Sequence, residues 1–257
     1  MKRFDPDLLR PWLTLAAILG TLGVNLWSNL FPINGLNIGK LSNTLFAEVQ
    51  IIPANYAFAI WGLIYLGLIA FGIYQLLPAQ RQNSDLRPAT YLLILACVAQ
   101  CIWVILFLSR LFVGSVVAMV VILLALIGMY LRLGIGQRRV SRNDRWFLHI
   151  PISIYLGWIT VATVVNVASA LYSLGWNGWG LSAPVWSVML VLVSGAIAAL
   201  VAFQRRDVAF VLVIVWALVA IVVRQLAQPL IAAPAAGVSL ALLLLLFWQS
   251  SRRPSTA

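Results

Sequence analysis

The segment HIPISIYLGWITVATVVNVASALY, residues 149–172, is apolar and long enough to cross a bilayer. Five of its residues recur at intervals of 3, 4, 4 and 3: Tyr155, Trp158, Ala162, Asn166 and Ser169. This spacing places them on one face of a helix. In hydrocarbon, the carboxamide of Asn166 would lose its water without gaining a partner. We therefore expect the stripe to face other helices or an internal cavity, either as a ligand-binding face or only as polar contacts between helices.

The whole chain has the composition of a membrane protein. Its 257 residues are 63% hydrophobic and 9% charged, whereas soluble domains are roughly half apolar and about a quarter charged. The apolar segments are 12–31, 56–77, 90–108, 111–131, 149–172, 182–203, 208–223 and 232–248. Most reach the length of about 20 residues that a spanning helix needs, and the seventh is short. We predict an all-α membrane protein with eight transmembrane helices.

The positive charges predict the orientation. All Lys and Arg residues except Lys40, Arg110 and Arg224 lie in the two termini or in every second loop. Because such segments tend to stay in the cytoplasm, we expect a multi-pass protein of the bacterial plasma membrane with both termini cytoplasmic. The net charge of +11 then indicates contact with anionic lipid at the basic cytoplasmic loops and no nucleic-acid partner.

A second stripe lies on the second predicted helix. Its members are again spaced by 3 or 4 residues: Phe58, Trp61, Tyr65, Leu68 and Gly72. Aromatic side chains grouped on one helical face suggest a ligand with a flat ring system, and the alternative is aromatic packing in the core. The segment before this helix, residues 32–55, is the longest non-cytoplasmic loop and is called the outer loop below. It is expected either to lie as a lid across the helix ends or to be a solvated connector.

The sequence contains few residues that could act in catalysis or bind a metal. No predicted helix interior contains Asp, Glu, Lys or Arg, which disfavours ion-coupled transport. His149 is the only histidine, and the six acidic residues are scattered over the loops, so neither a hydrolytic triad nor a metal cage is indicated. Cys97 and Cys101 lie one turn apart within a helix and are interpreted as packing residues. We therefore predict no catalytic residue and no metal site.

Two motifs resemble the TspO/MBR family, the tryptophan-rich sensory proteins related to the mitochondrial translocator protein. The second-helix pattern W-x-x-x-Y is matched by Trp61 and Tyr65 after Pro53. The fifth-helix pattern Y-x-x-W-x-x-x-A-T-x-x-N is matched from Tyr155 to Asn166. Gln100 and Trp103 stand where the family has N-x-x-W in its third helix. This chain looks like a longer branch of the family, with three more helices than the usual five.

The resemblance implies a five-helix bundle whose outward-opening pocket is capped by the outer loop. Family members bind porphyrins or other lipophilic molecules, often as homodimers, and light-dependent porphyrin breakdown has been ascribed to some of them. We accordingly divide the chain into a TspO-like bundle, residues 1–175, and three additional helices, residues 176–257.

The predicted function is the binding of a tetrapyrrole-like or other flat lipophilic molecule, for sensing or transport. A porphyrin-degrading activity and a structural role in a larger membrane complex are the alternatives. The expected pocket residues are Trp61, Tyr65, Trp103, Tyr155, Trp158, Ala162 and Asn166.

Overall fold

The computed structural model describes residues 6–81 and 86–251, and it describes side chains from residue 9 to 80 and from 86 to 251. These residues contain eight long helices and no strand, which confirms the all-α prediction. The helices are α1 (Pro6–Leu30), α2 (Ile60–Tyr74), α3 (Leu86–Leu108), α4 (Phe112–Arg132), α5 (Ile150–Ser173), α6 (Ala183–Arg205), α7 (Val208–Arg224) and α8 (Pro229–Ser251). Seven of these segments are long and apolar enough to span a membrane, and α7 is the shorter one.

Local backbone features explain where several helices begin. A 3₁₀ turn, Asn55–Ala59, leads into α2, and a π-helical turn, Arg145–His149, leads into α5. Between α6 and α7 the chain reverses within two residues. Arg206 adopts a left-handed conformation with φ of 51° and ends α6, while the Asp207 carboxylate accepts a hydrogen bond from the Phe210 backbone N–H at 3.2 Å and caps α7.

Helices α1 to α5 form a closed ring. Helix α1 packs between α2 and α3, α4 packs between α3 and α5, and α5 contacts α2. Small residues allow two of these contacts: a Cβ on Gly67 would lie 3.0 Å from Pro151, and one on Gly72 would lie 2.8 Å from Leu15. Glycine at these two positions therefore lets the helices approach each other closely. The ring gives five helices a shared interior.

The three remaining helices pack together and join the ring through α7. Helix α7 contacts α5 on one side and both α6 and α8 on the other. Gly157 on α5 lets this contact become close, since a Cβ there would lie 3.0 Å from Val213. Consecutive helices α5 and α6 contact each other at only a few positions. A space therefore opens between them.

The outer loop covers the end of the ring. It contains a short helix, Ile38–Thr44, and its apolar side chains point inward: Leu41, Phe46 and Ile52 are at most 1% exposed. The Phe46 ring lies 4.9 Å from the Phe112 ring. The loop is thus a lid, and its interpretation as a solvated connector is wrong.

Lys2, Arg3, Arg252 and Arg253, which contribute to the predicted orientation, lie outside the described residues, as does the side chain of Arg81.

Candidate functional site

A small cavity of about 50 Å³ lies inside the ring, beneath the outer loop. We call it the inner cavity. Its walls come from α2, α3, α4 and α5, and Ile38, Ser42 and Pro53 contribute from the outer loop. Five aromatic side chains line it: Phe58, Trp61, Trp103, Phe107 and Trp158. The two aromatic stripes seen in the sequence therefore meet around one shared space.

Five of the seven expected pocket residues line the inner cavity: Trp61, Trp103, Trp158, Ala162 and Asn166. Tyr65 and Tyr155 do not. Both pack against Trp61, with ring centroids 5.7 Å and 6.0 Å from the Trp61 ring. Because Tyr65 lies one turn further along α2 than Trp61, it supports the tryptophan from deeper in the membrane.

Several residues that line the inner cavity were not among the expected pocket residues, including Phe107, Met119 and the lid residue Ser42. Phe107 has a signal in the sequence, because it lies one turn from Trp103 on the same face of α3, and the two rings stack at 5.1 Å. Met119 and Ser42 carry no comparable signal. Their positions depend on how α4 and the outer loop pack against the other helices.

The size of the inner cavity limits what it can hold in this conformation. Pockets for drug-sized ligands usually enclose about 300–1,000 Å³, whereas this one measures about 50 Å³. The aromatic rings also fill the space between them, since the Phe58 and Trp158 rings meet edge to face at 5.8 Å. A flat ring system therefore fits only if some of these rings move apart.

Asn166 connects three helices by hydrogen bonds. The indole N–H of Trp103 donates to its Oδ1 at 2.8 Å, and its Nδ2 donates to the hydroxyl of Ser115 at 3.1 Å. The Ser115 hydroxyl in turn donates to the Phe112 carbonyl at 2.7 Å. Asn166 thus serves as a polar contact between α3, α4 and α5, one of the two roles considered for the stripe, while it also borders the inner cavity.

Two polar side chains lie one turn deeper than the tryptophans of the cavity. The Gln100 amide, one turn from Trp103, is fully buried, and both its oxygen and its nitrogen have no hydrogen-bond partner among the described residues. The Tyr65 hydroxyl is also buried, and it interacts with the Asn25 side chain of α1. Buried polar groups are usually satisfied, so the Gln100 amide is available to a water or a ligand that reaches below the inner cavity.

Asp207 forms a buried polar contact that the sequence did not reveal. Its carboxylate is 8% exposed and accepts hydrogen bonds from the Tyr130 hydroxyl at 2.9 Å and from the Ser153 hydroxyl at 2.6 Å. Tyr130 belongs to α4 and Ser153 to α5, whereas Asp207 lies between α6 and α7. This contact joins the ring to the three added helices and lies at the opposite end of the molecule from the lid.

Comparison with known proteins extends the resemblance beyond the ring. A family model described as TSPO-like protein matches residues 11–248, a range that includes most of α1 and most of α8 and everything between them. No curated protein and no solved structure matches the chain. Because the match covers nearly the whole sequence, the three additional helices are part of the family pattern, and the chain belongs to the TSPO-like protein family.

Proposed function

We propose that this membrane protein binds a flat lipophilic molecule, of which a tetrapyrrole is the leading candidate, in the inner cavity for sensing or transport. One observation carries the proposal: aromatic rings from α2, α3 and α5 converge on a void that the outer loop covers. Planar apolar ligands gain most from flat aromatic walls, because these bury large areas and allow stacked or edge-to-face contacts.

The proposal requires an open state. The outer loop is the part that can move away without breaking a transmembrane helix, and it covers the cavity with Ile38, Ser42 and Pro53. Moving it would join the inner cavity to the outer surface. The unsatisfied Gln100 amide then lies one turn deeper, where it can bind polar atoms of a ligand.

We further propose that the lid faces away from the cytoplasm, in the plasma membrane of a bacterium. The exposed guanidinium groups of Arg138, Arg139 and Arg142 lie at the end opposite the lid, where anionic lipid headgroups would attract them. The homodimer implied by the family resemblance stays a prediction, as does light-dependent porphyrin breakdown.

A structural role is the second candidate. The observation that favours it is the use of Asn166 in contacts with Trp103 and Ser115 inside the protein. On this view the polar stripe only holds the helices together, and the protein contributes a rigid subunit to a larger complex.

Binding of protoporphyrin to the purified protein in nanodiscs separates the two candidates. We expect saturable quenching of tryptophan fluorescence for the wild type. Ala162→Leu adds a side chain to the inner cavity and should weaken binding at least tenfold. The matched variant Ala168→Leu lies six residues further along α5, does not line this cavity, and should bind like the wild type. Non-saturable quenching, or the same curve for both variants, would contradict the proposal.

A further inference from the structure

A second and much larger cavity lies outside the ring, between α5 and α6. It measures about 760 Å³, within the range of drug-sized binding sites, and we call it the outer groove. Its walls are the segment of α5 from Thr163 to Tyr172 and the segment of α6 from Ala183 to Leu190. The outer loop contributes residues 48–51 to the same space.

The outer groove reaches deep into the hydrocarbon. Thr163 lies ten residues before the end of α5 at Ser173, which corresponds to a depth of about 15 Å at 1.5 Å per residue. That is about half of the ~30 Å apolar thickness of a bilayer. Val164, Val167 and Leu171 make this part of the wall apolar. The groove therefore suits an apolar body that extends from the outer membrane surface to the middle of the bilayer.

Three tryptophans form the outer rim of the groove. Trp176 lies 5.4 Å from Trp179 and 4.9 Å from Trp186, measured between ring centroids. The cluster is fixed in place, because the Trp186 indole N–H donates to the Gly178 carbonyl at 2.8 Å.

Trp179 combines an unusual backbone conformation with a highly exposed side chain. Its backbone is left-handed, with φ of 52°, and its side chain is 77% exposed. Large side chains rarely adopt this backbone region, and such strain is often found at ligand sites. The loop thus presents an aromatic surface to whatever occupies the groove.

The charge of the rim is opposite to that of the chain as a whole. The net charge of the protein is +11, yet Glu48 is the only charged residue among the described residues that line the groove. Glu48 is exposed and available to a ligand. Its neighbour Gln50 has a buried side-chain oxygen without a hydrogen-bond partner in the described part of the chain. A carboxylate, an unsatisfied oxygen and three indole rings all favour a cation.

We propose that the outer groove is a second ligand site, which binds an amphiphile with an apolar body and an alkylammonium head. The body lies between α5 and α6, and the head lies between Glu48 and the indole rings of Trp176 and Trp179. This site is separate from the inner cavity, because α5 presents Ala168 to the outer groove and Ala162 to the inner cavity. The two sites can therefore be blocked one at a time.

The test uses brominated amphiphiles, whose bromine quenches tryptophan fluorescence on contact, with the full-length protein in neutral maltoside micelles. The probe is bromododecyl-trimethylammonium, and bromododecanol is the uncharged probe of the same chain length. We expect saturable quenching by the ammonium probe and only weak, non-saturable quenching by the alcohol. Glu48→Gln should raise the half-saturating concentration of the ammonium probe about three- to tenfold, because it removes one partly solvated charge contact. The same variant should leave the alcohol curve unchanged.

Matched variants separate this site from the inner cavity. Ala168→Leu should abolish the saturable phase, and Ala162→Leu should leave it intact. Protoporphyrin binding equal to that of the wild type shows that Ala168→Leu is folded. If the wild type does not bind porphyrin, an unchanged elution volume in size-exclusion chromatography serves as this control. Quenching by the alcohol that saturates at the same concentration as quenching by the ammonium probe would overturn the proposal. The groove would then be a non-specific lipid-binding surface. An unchanged curve for Glu48→Gln or for Ala168→Leu would also overturn the proposal.

Discussion

Arg224 at the end of α7 donates a hydrogen bond from Nη1 to the Oδ1 of Asn43 in the outer loop, at 3.0 Å. Two further bonds join the same parts of the chain: the Gln225 side-chain N–H donates to the Gln50 carbonyl at 2.8 Å, and the Ala54 backbone N–H donates to the Ala220 carbonyl at 3.0 Å. The lid over the five-helix ring is therefore anchored to the end of α7. If the proposed ligand enters past the lid, α7 takes part in controlling its access.

Loosening this anchor should speed ligand exchange. We expect the double variant Arg224→Ala, Gln225→Ala to raise both the association and the dissociation rate of protoporphyrin at least threefold. The stability should fall by about 1–3 kcal/mol, because the Arg224 bond is exposed to solvent whereas the Gln225 side chain is buried. Stopped-flow quenching of tryptophan fluorescence measures the rates. Lys40→Ala, which removes a charge from an exposed position on the outer loop, is the control and should leave both rates unchanged.

Phe46 is expected to hold the lid closed. Its ring is fully buried and contacts the rings of Phe107, Phe112 and Tyr172 at 4.9–6.2 Å. Phe46→Ala should cost about 3–5 kcal/mol and should make cavity tryptophans more accessible to acrylamide, a water-soluble quencher. The neighbouring Leu45 is exposed, so Leu45→Ala should change neither the unfolding curve nor the quenching. Equal acrylamide quenching in both variants would show that Phe46 does not control access.

The sequence predicted the helices well and the contacts between them poorly. Apolar length alone located all eight helices, because a spanning helix needs about 20 apolar residues, and the short α7 was also visible as a separate apolar segment. The stripe on α5 predicted that Trp158, Ala162 and Asn166 face the same side of the helix, and all three line the inner cavity. Tyr155 shares that stripe but lies below this cavity, since helical spacing defines a face and does not define the depth of a cavity along it.

The volume of the inner cavity could not be predicted from the sequence either. It depends on the orientations of the Phe58, Trp61 and Trp158 rings and on the closed lid. Likewise, Tyr130 and Asp207 are 77 positions apart in the chain, and no periodic pattern connects them. Such contacts arise only when complete helices pack together.

The hydrogen bond between Trp103 and Asn166 should contribute measurably to folding. We expect the double-mutant cycle of Trp103→Phe and Asn166→Leu to give a coupling energy between about 0.6 and about 1.7 kcal/mol, which are the average and the maximum for such bonds between membrane helices. Unfolding in a mixed-detergent titration supplies the free energies. Ser173→Ala with Trp103→Phe is the control pair, because Ser173 bonds only to its own helix at the Ala170 carbonyl. If the two substitutions change the free energy of unfolding additively, the bond between Trp103 and Asn166 does not help to hold the helices together.

Asp207 should be required for the three added helices to remain attached to the ring. Its carboxylate is buried and accepts bonds from Tyr130, Ser153 and the Phe210 backbone. Asp207→Ala should therefore destabilise the protein by about 2–4 kcal/mol, the loss of charged hydrogen bonds and of a helix cap. Limited proteolysis should then cut between α5 and α6 sooner than in the wild type. Tyr130→Phe removes one of these bonds and should show a smaller effect, and resistance equal to the wild type in both variants would contradict this assignment.

A density map of the protein saturated with protoporphyrin tests the central claim most directly. The account predicts flat density between Trp61 and Trp158, an inner cavity enlarged to several hundred Å³, and an outer loop displaced from Phe107 and Phe112. An inner cavity that remains at about 50 Å³ with the lid closed, or porphyrin density found only outside the ring, would contradict it.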